Sequence, residues 1–433
     1  MSHTKFVASL LVGIMMVAAL AGVVSGAEEE DTCAVLFDFG NGRVMWADVP
    51  VTEGMNAFNA TVEAAEDLGI NIDAPNGLVS NIDGYASAWP EETWNFWIWN
   101  SMDLKWDIAM VGAADILVGK NYAIAWSYAA YRDPNQFIPP YPPIASPEHR
   151  YPWTSFRYDS LNTGLQETAN ISNPILSWSE NLGNGAIDTA IIGANGLIYA
   201  TTGGKMNWTS GGYDSNSSLY CLDTSGKKVW SQDIGKGYQV ATPLLYADMV
   251  IAPSADGKLY AFDAADGTTR WTSDICSGVI TGITSSPVAY LNKIIIAAGN
   301  GQLYSIHASN GTQDWNVEVA TKIYSSSPAV CNGVVYIGDE DGNVSAFAAD
   351  GSGDIWSTNV SGMVRASPLI DTANNQIVVT STGANGNITA LNKTTGDTIW
   401  QTAIGGSSAS VAMASSGYVA TTATHIIMVD FNG

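Results

Sequence analysis

A chain of 433 residues that is 46% hydrophobic, 13% charged and rich in tryptophan is too apolar for a disordered polymer and long enough for two or three domains. Its 41 acidic residues against 17 basic ones leave a net charge of −24, which repels phosphate and excludes a general nucleic-acid binder. Forty-three glycines among many aromatics and few charges point to a turn-rich β protein rather than a helical one.

The first five residues are short and basic, Phe6 to Val24 is uncharged, and Ser25-Gly26-Ala27 supplies small residues for a cleavage site. Residues 1–27 therefore read as an export signal. An uncleaved anchor is the alternative, because such a stretch just spans a bilayer. No cysteine follows it directly, which argues against a lipid anchor. The remainder is expected to be secreted or held at the cell surface or envelope, touching membrane only through that N-terminal segment. Cys33, Cys221, Cys276 and Cys331 form no close pair of the zinc or redox type. An oxidising compartment would permit one or two disulfides among them. Nine Asn-x-Ser/Thr sequons, at Asn59, Asn170, Asn207, Asn216, Asn310, Asn343, Asn359, Asn387 and Asn392, make the chain a glycoprotein candidate.

Residues 32–130 form a first domain. Cys33–Phe39 and Arg43–Val51 read as strands joined by Gly40-Asn41-Gly42, since Asn-Gly accepts the positive φ of a type I′ turn. Gly54–Leu68 reads as a helix with Phe58, Val62, Ala65 and Leu68 on one face. Strands near Leu78–Ile82, Trp94–Asn100 and Tyr122–Tyr128 complete a small mixed sheet with one helix across it. Along Trp94–Asn100, Trp94, Phe96 and Ile98 share one face while Trp97 and Trp99 share the other. If one face meets the helix, Trp97 and Trp99 become candidate ligand-binding residues, unless the linker or the following domain covers them. Residues 131–152 hold seven of the 16 prolines and form a semi-rigid spacer.

From residue 153 to 433 an internal period decides the fold. Trp178, Trp230, Trp271, Trp315, Trp356 and Trp400 recur 52, 41, 44, 41 and 44 residues apart. The last five close similar blocks, the clearest being LYAFDAADGTTRW at 259–271. Upstream recur Thr242-Pro243, Ser286-Pro287, Ser327-Pro328 and Ser367-Pro368. Each unit is four short strands that bury both faces only by radial stacking, which is a β-propeller. The last unit lacks a Trp-bearing strand, and Pro174–Glu180 is placed to supply it. That composite closure makes six blades; seven is the rival if residues 153–180 hold more structure.

The block L-Y-A-x-D-x-x-x-G-x-x-x-W and the opening Trp153 to Gly164 resemble the pyrroloquinoline-quinone (PQQ) repeat and its lead-in. The resemblance implies the propeller, with Trp packing between blades and Gly opening the turn before the outer strand. It does not imply the cofactor, because many relatives keep the blade without it. FDFGNGRV (37–44), WNFWIWN (94–100), Gly112–Asp115 and Ala125–Tyr128 are similar to the β-grasp-like domain of unknown function related to the C-terminal part of transcobalamin, whose carriers contact a corrinoid.

Chemistry-bearing motifs are sparse. There are four histidines, no HExxH and no phosphate-cradling glycine loop. Asp339–Asn343 has calcium-loop residues but no distal Glu, and no metal site is assigned. Asp223, Asp263 and Asp430 share a position held elsewhere by His307, Ala348 and Asn392, which suits a turn cap better than a ligand. The expectation is a non-catalytic binding or interaction propeller with no catalytic residue and no cofactor. Its partner would be an envelope protein, a glycan or a small ligand. Two alternatives stay open: a corrinoid or other small-ligand carrier through residues 32–130, and a quinoprotein-type redox enzyme using PQQ with calcium.

Overall fold

The computed structural model describes residues 31–433 except 41–42, 76–77, 90–92, 104, 133–138, 141, 144, 148–153, 165–175, 184–189, 194–195, 205, 208–211, 214, 238–240 and 279–281. The export signal, the Asn41-Gly42 turn, Asn170, His149 and Trp153 lie outside those residues.

The first sheet is mixed and five-stranded. Thr32–Asp38 pairs antiparallel with Val44–Pro50 and parallel with Ala123–Ala129, which continues through Thr93–Asn100 to Lys105–Ile108. One helix, Ala57–Leu68, crosses it. Asn56 caps the helix by accepting from the Asn59 N–H at 2.8 Å, and Gly69 ends it in the left-handed region at φ 66°.

The buried stripe of that helix differs from the sequence expectation. It runs through Ala57, Ala60, Thr61, Ala64 and Ala65, leaving Phe58, Val62 and Leu68 at its margin. Small side chains let the helix axis approach the sheet closely. The larger residues then pack at the edges rather than underneath. Thr61 explains the polar member of the stripe: it accepts from the Trp126 indole N–H at 2.9 Å and donates to the Ala57 carbonyl.

The rest of the chain repeats one antiparallel sheet. Sheet one comprises Ile191–Ile192, Ile198–Thr202, Ser218–Leu222 and Lys228–Asp233. Sheets two to five have four strands each and begin at Leu244–Tyr246, Val288–Tyr290, Ala329–Cys331 and Leu369–Asp371. Sheet six has three: Ala412–Ala414, Gly417–Thr421 and Ile426–Val429.

Alternation along each strand feeds two cores. In sheet two, Val250 and Ala252 pack with Tyr199 and Leu219 of sheet one. Ile251 and Leu259 pack with Ile294 and Ile296 of sheet three. Similar clusters bridge sheets three and four, four and five, and five and six. The sheets therefore stack face on face as propeller blades, each buried by its neighbours.

The tryptophans tie each sheet to the next. The indole N–H groups of Trp230, Trp271, Trp315, Trp356 and Trp400 donate to the carbonyls of Ala264, Ala308, Ala349, Lys393 and Phe431. The indoles cover Gly267, Gly311, Gly351, Gly396 and Gly433, all at positive φ, where a Cβ would fall within 3 Å of a ring atom. The Asp and Asn residues before these glycines cap their turns. Asp223, for example, accepts from the Ser225 and Lys227 N–H groups, and Asn392 from those of Thr394 and Thr395.

The Ser/Thr-Pro pairs form a second tie, nearer the axis. The N–H of Thr242 donates to Ser286 Oγ, that of Ser286 to Ser327 Oγ, that of Ser327 to Ser367 Oγ and that of Ser367 to Ser410 Oγ, each at 2.9 Å. Proline holds Ser286, Ser327 and Ser367 extended, and the belt ends on Ser410, which precedes Val411. Ser327→Ala removes one buried acceptor and leaves the Ser286 N–H unpaired. Urea unfolding is expected to show a loss of about 1–2 kcal/mol; no loss would mean the belt is decorative.

Candidate functional site

The innermost strands of the sheets surround a short piece of the chain that precedes them all. Residues 154–163 are buried or nearly so, and their carbonyls accept from the middle residue of four inner strands. Thr154 O takes the Leu245 N–H at 2.8 Å, and Ser160 O the Val330 N–H at 2.7 Å. Leu161 O takes the Ile370 N–H at 2.9 Å, and Thr163 O the Met413 N–H at 3.1 Å. Sheets two, four, five and six are thus engaged at equivalent positions, so the segment lies across the axis as a plug.

The plug is made rigid by its own polar residues. Asp159 accepts from the Thr163 hydroxyl at 2.8 Å, the Thr163 N–H at 3.0 Å and the Leu161 N–H at 3.2 Å. Asn162 donates to the Pro368 carbonyl at 3.1 Å. Arg157 donates to the carbonyls of Asn162, Ser410 and Val411, joining the plug to sheet six. Arg157, Tyr158 and Asn162 have φ of 53°, 81° and 55°, a left-handed backbone that costs about 1–3 kcal/mol per non-glycine residue and persists only where contacts over-determine it.

Burial dominates the electrostatics of the plug. It pushes the Asp159 carboxyl up to about 6, against the pull of its three hydrogen bonds and of Arg157. It also lowers the Arg157 guanidinium, which Asp159 partly offsets. Because the folded state holds the Asp159 proton more tightly than the unfolded chain does, this group's contribution to stability is greatest in acid. It falls as pH rises through about 4 to 6. Asp159→Asn keeps the shape and removes the titration. The stability of the variant relative to the native chain should rise by about 3 kcal/mol between pH 4 and pH 7. A pH-independent difference would contradict the burial argument.

The residues singled out from sequence fall elsewhere. Trp94, Phe96 and Ile98 join the helix-side core. On the opposite face Trp97 is buried, 3% exposed, and its indole N–H donates to Ser127 Oγ at 2.7 Å. Trp99 is half-buried and meets Trp106 edge-on, ring centroids 5.1 Å apart. The Pro-rich spacer lies over this face: the fully buried Ala145 accepts from Trp106 Nε1 at 2.7 Å. Any ligand ring reaching Trp97 has to displace that spacer.

All four cysteines are free and buried. In the Asp339–Asn343 turn, Asp339 accepts from the N–H groups of Asp341 and Asn343, while Glu340 is held by Arg365 through two contacts of 2.9 Å. Among the described residues no group of three or more His, Cys, Asp or Glu is placed to hold a metal, and no helix is long and apolar enough to cross a membrane.

The repeating part of the chain has its counterpart in one family. Residues 176–327 and 321–431 match the model described as outer membrane protein assembly factor BamB. The chain belongs to this family. An outer membrane protein assembly factor BamB from Salmonella typhimurium strain LT2 is 30% identical over 262 residues, which cover 56% of this chain and 64% of that protein. The match thus spans a little under two thirds of that relative. BamB from Moraxella catarrhalis aligns at 17% identity and TM-score 0.44 over 55% of this chain and 68% of its own. Quinohemoprotein alcohol dehydrogenase from Comamonas testosteroni aligns at 16% identity and TM-score 0.45 over 59% and 49%.

In the sequence the string from Trp153 to Gly164 is legible only as the lead-in to the repeat. The signal was present: Arg157 and Asp159 stand two apart in an otherwise uncharged stretch from Tyr151 to Leu165, and isolated charges in such a stretch are buried only when paired.

Proposed function

We propose that this family member is an exported, non-catalytic propeller that holds another protein in the cell envelope. The axial plug carries the reading. A ligand seated in the axis would meet the inward N–H groups of the inner strands, whereas here four inner strands spend that group on the chain's own carbonyls. What the ring offers outward is protein surface, and the relatives' name as outer membrane protein assembly factors supports the same use.

The residues around the axis do not fit PQQ with calcium. That pair needs a broad slot and carboxylates free to meet a cation, but the plug's single carboxylate, Asp159, is 6% exposed and already accepts three hydrogen bonds. A corrinoid on the Trp97 face of residues 32–130 is not favoured, since the spacer covers that face.

The test is cross-linking in the native envelope with a tagged full-length chain, followed by mass spectrometry of the linked peptides. The reading expects one envelope protein linked repeatedly to lysines of the sheet edges and loops. It fails if the chain stays unlinked while the purified protein oxidises alcohols once given PQQ and calcium.

A further inference from the structure

Among the described hydrogen bonds the plug engages four of the six inner strands and passes over those of sheets one and three. The plug runs from Thr154, bonded to sheet two, to Ser160, bonded to sheet four. No plug carbonyl among the described hydrogen bonds reaches Ala289, the middle residue of the sheet-three strand Val288–Tyr290. At that place a cavity of about 120 Å³ opens between the propeller, the Pro-rich spacer and the first sheet.

Its walls are mainly apolar, with Leu244 and Val288 on the propeller side, Pro143 from the spacer and Tyr128 from the first sheet. Ser155 also lines it. That residue is 5% exposed, and its hydroxyl has no hydrogen-bond partner. That hydroxyl is sealed from the cavity, so the donor the wall offers an occupant is the Ala289 N–H.

We infer that this cavity is a binding site for a small neutral molecule with an apolar body and one carbonyl-type oxygen. Size sets the first part: an engineered apolar cavity of about 150 Å³ accepts benzene, so about six non-hydrogen atoms fit here. A macrocycle such as a corrinoid does not. Polarity sets the second part. By equivalence with Leu245, Val330, Ile370 and Met413, the Ala289 N–H points away from its own sheet, and it offers one donor to a single acceptor at the cavity wall. Charge sets the third. The wall carries one carboxylate, Asp38, and one guanidinium, Arg132, so neither an anion nor a cation is favoured. The site stands apart from whichever protein the ring holds, and its failure would leave that reading untouched.

Butyramide, with six non-hydrogen atoms, is the probe. Saturation-transfer NMR on the full chain is expected to show binding at about millimolar strength, the range open to a ligand of that size. Intermolecular NOEs should run from its methyl group to the methyls of Leu244 and Val288. Ala289→Phe, which adds bulk at the cavity wall, should weaken binding about tenfold or more. Butyrate should bind more weakly than the amide. The inference is overturned by the absence of transfer at about 50 mM butyramide, given the ceiling on affinity per atom. NOEs to residues outside the cavity would overturn it equally, and they are read on the native chain whether or not Ala289→Phe folds.

Discussion

Arg157→Met is expected to cost about 3–5 kcal/mol, the range for breaking a buried charged network. The change keeps most of the side-chain volume and removes the donors to the carbonyls of Asn162, Ser410 and Val411. It also leaves Asp159 buried without its cation. Arg157 and Tyr158 then hold left-handed backbone with less to maintain it. A local readout separates this from general destabilisation. The amides of Leu245, Val330, Ile370 and Met413 should lose hydrogen-exchange protection together, because one segment protects all four. Amides of the outer strands should keep theirs at low denaturant. A double-mutant cycle with Asp159→Asn should show coupling, since neutralising Asp159 removes much of the penalty of losing Arg157. A cost under about 1 kcal/mol, or exchange that rises evenly through the ring, would show that the plug is a passenger.

The propeller was readable because its signal is redundant. Five copies of one block carry the same Trp, the same turn Gly and the same alternation, so local ambiguity in one copy is settled by the others. The Ser/Thr-Pro pairs were visible for the same reason, although their hydroxyl belt runs between units and no single unit reveals it. The helix Ala57–Leu68 ends where the sequence places it and starts three residues after the expected Gly54, but its buried face differs from the expected one. Hydrophobicity ranks Phe58 and Val62 above Ala60 and Ala64, whereas close approach to a sheet favours the small residues. The fate of Trp97 and Trp99 was beyond local reasoning. Whether a Trp-bearing face meets a ligand or the chain itself depends on where Ala145 lands, some 46 residues after Trp99. The plug was hidden for a related reason: its partners lie 91 to 250 residues away along the chain, and nothing in a window of sequence specifies an axis.

The ring's closure carries the second large expected effect. Pro174–Glu180 was read as the missing outer strand of the last unit. Residues 171–175 lie outside the described ones, and Leu176–Glu180 carries no strand assignment. Sheet six ends at Ile426–Val429, whose Ile426 and Met428 are 80% and 53% exposed, and Leu176 is 86% exposed. Trp178, however, donates to Thr224 O at 2.9 Å and covers Gly226, the relation that every other repeat Trp has to the following sheet. It therefore sits where the outer strand of the sheet before sheet one belongs, and in a closed ring that sheet is sheet six. The register follows from the other sheets. Trp271 faces Ala261, Trp356 faces Ala346 and Trp400 faces Ala390, each two residues before the turn-capping position. Counting back from Asp430 sets Trp178 opposite Met428 and Ser179 opposite Ile427. In a Ser179→Cys/Ile427→Cys variant, mild oxidation should join the two thiols and raise stability by about 5 kcal/mol, the entropy of closing so long a loop. The native cysteines are buried and should stay reduced. The amides of Ile426–Val429 that point away from Gly417–Thr421, its partner in sheet six, should already be protected about 100-fold or more in the unmodified protein, since a paired strand exchanges only on opening. Free exchange along that edge, with no cross-link formed, would mean the blades stand as an open arc. The exposed Ile426 and Met428 would then be an unguarded strand edge of the kind that recruits another chain.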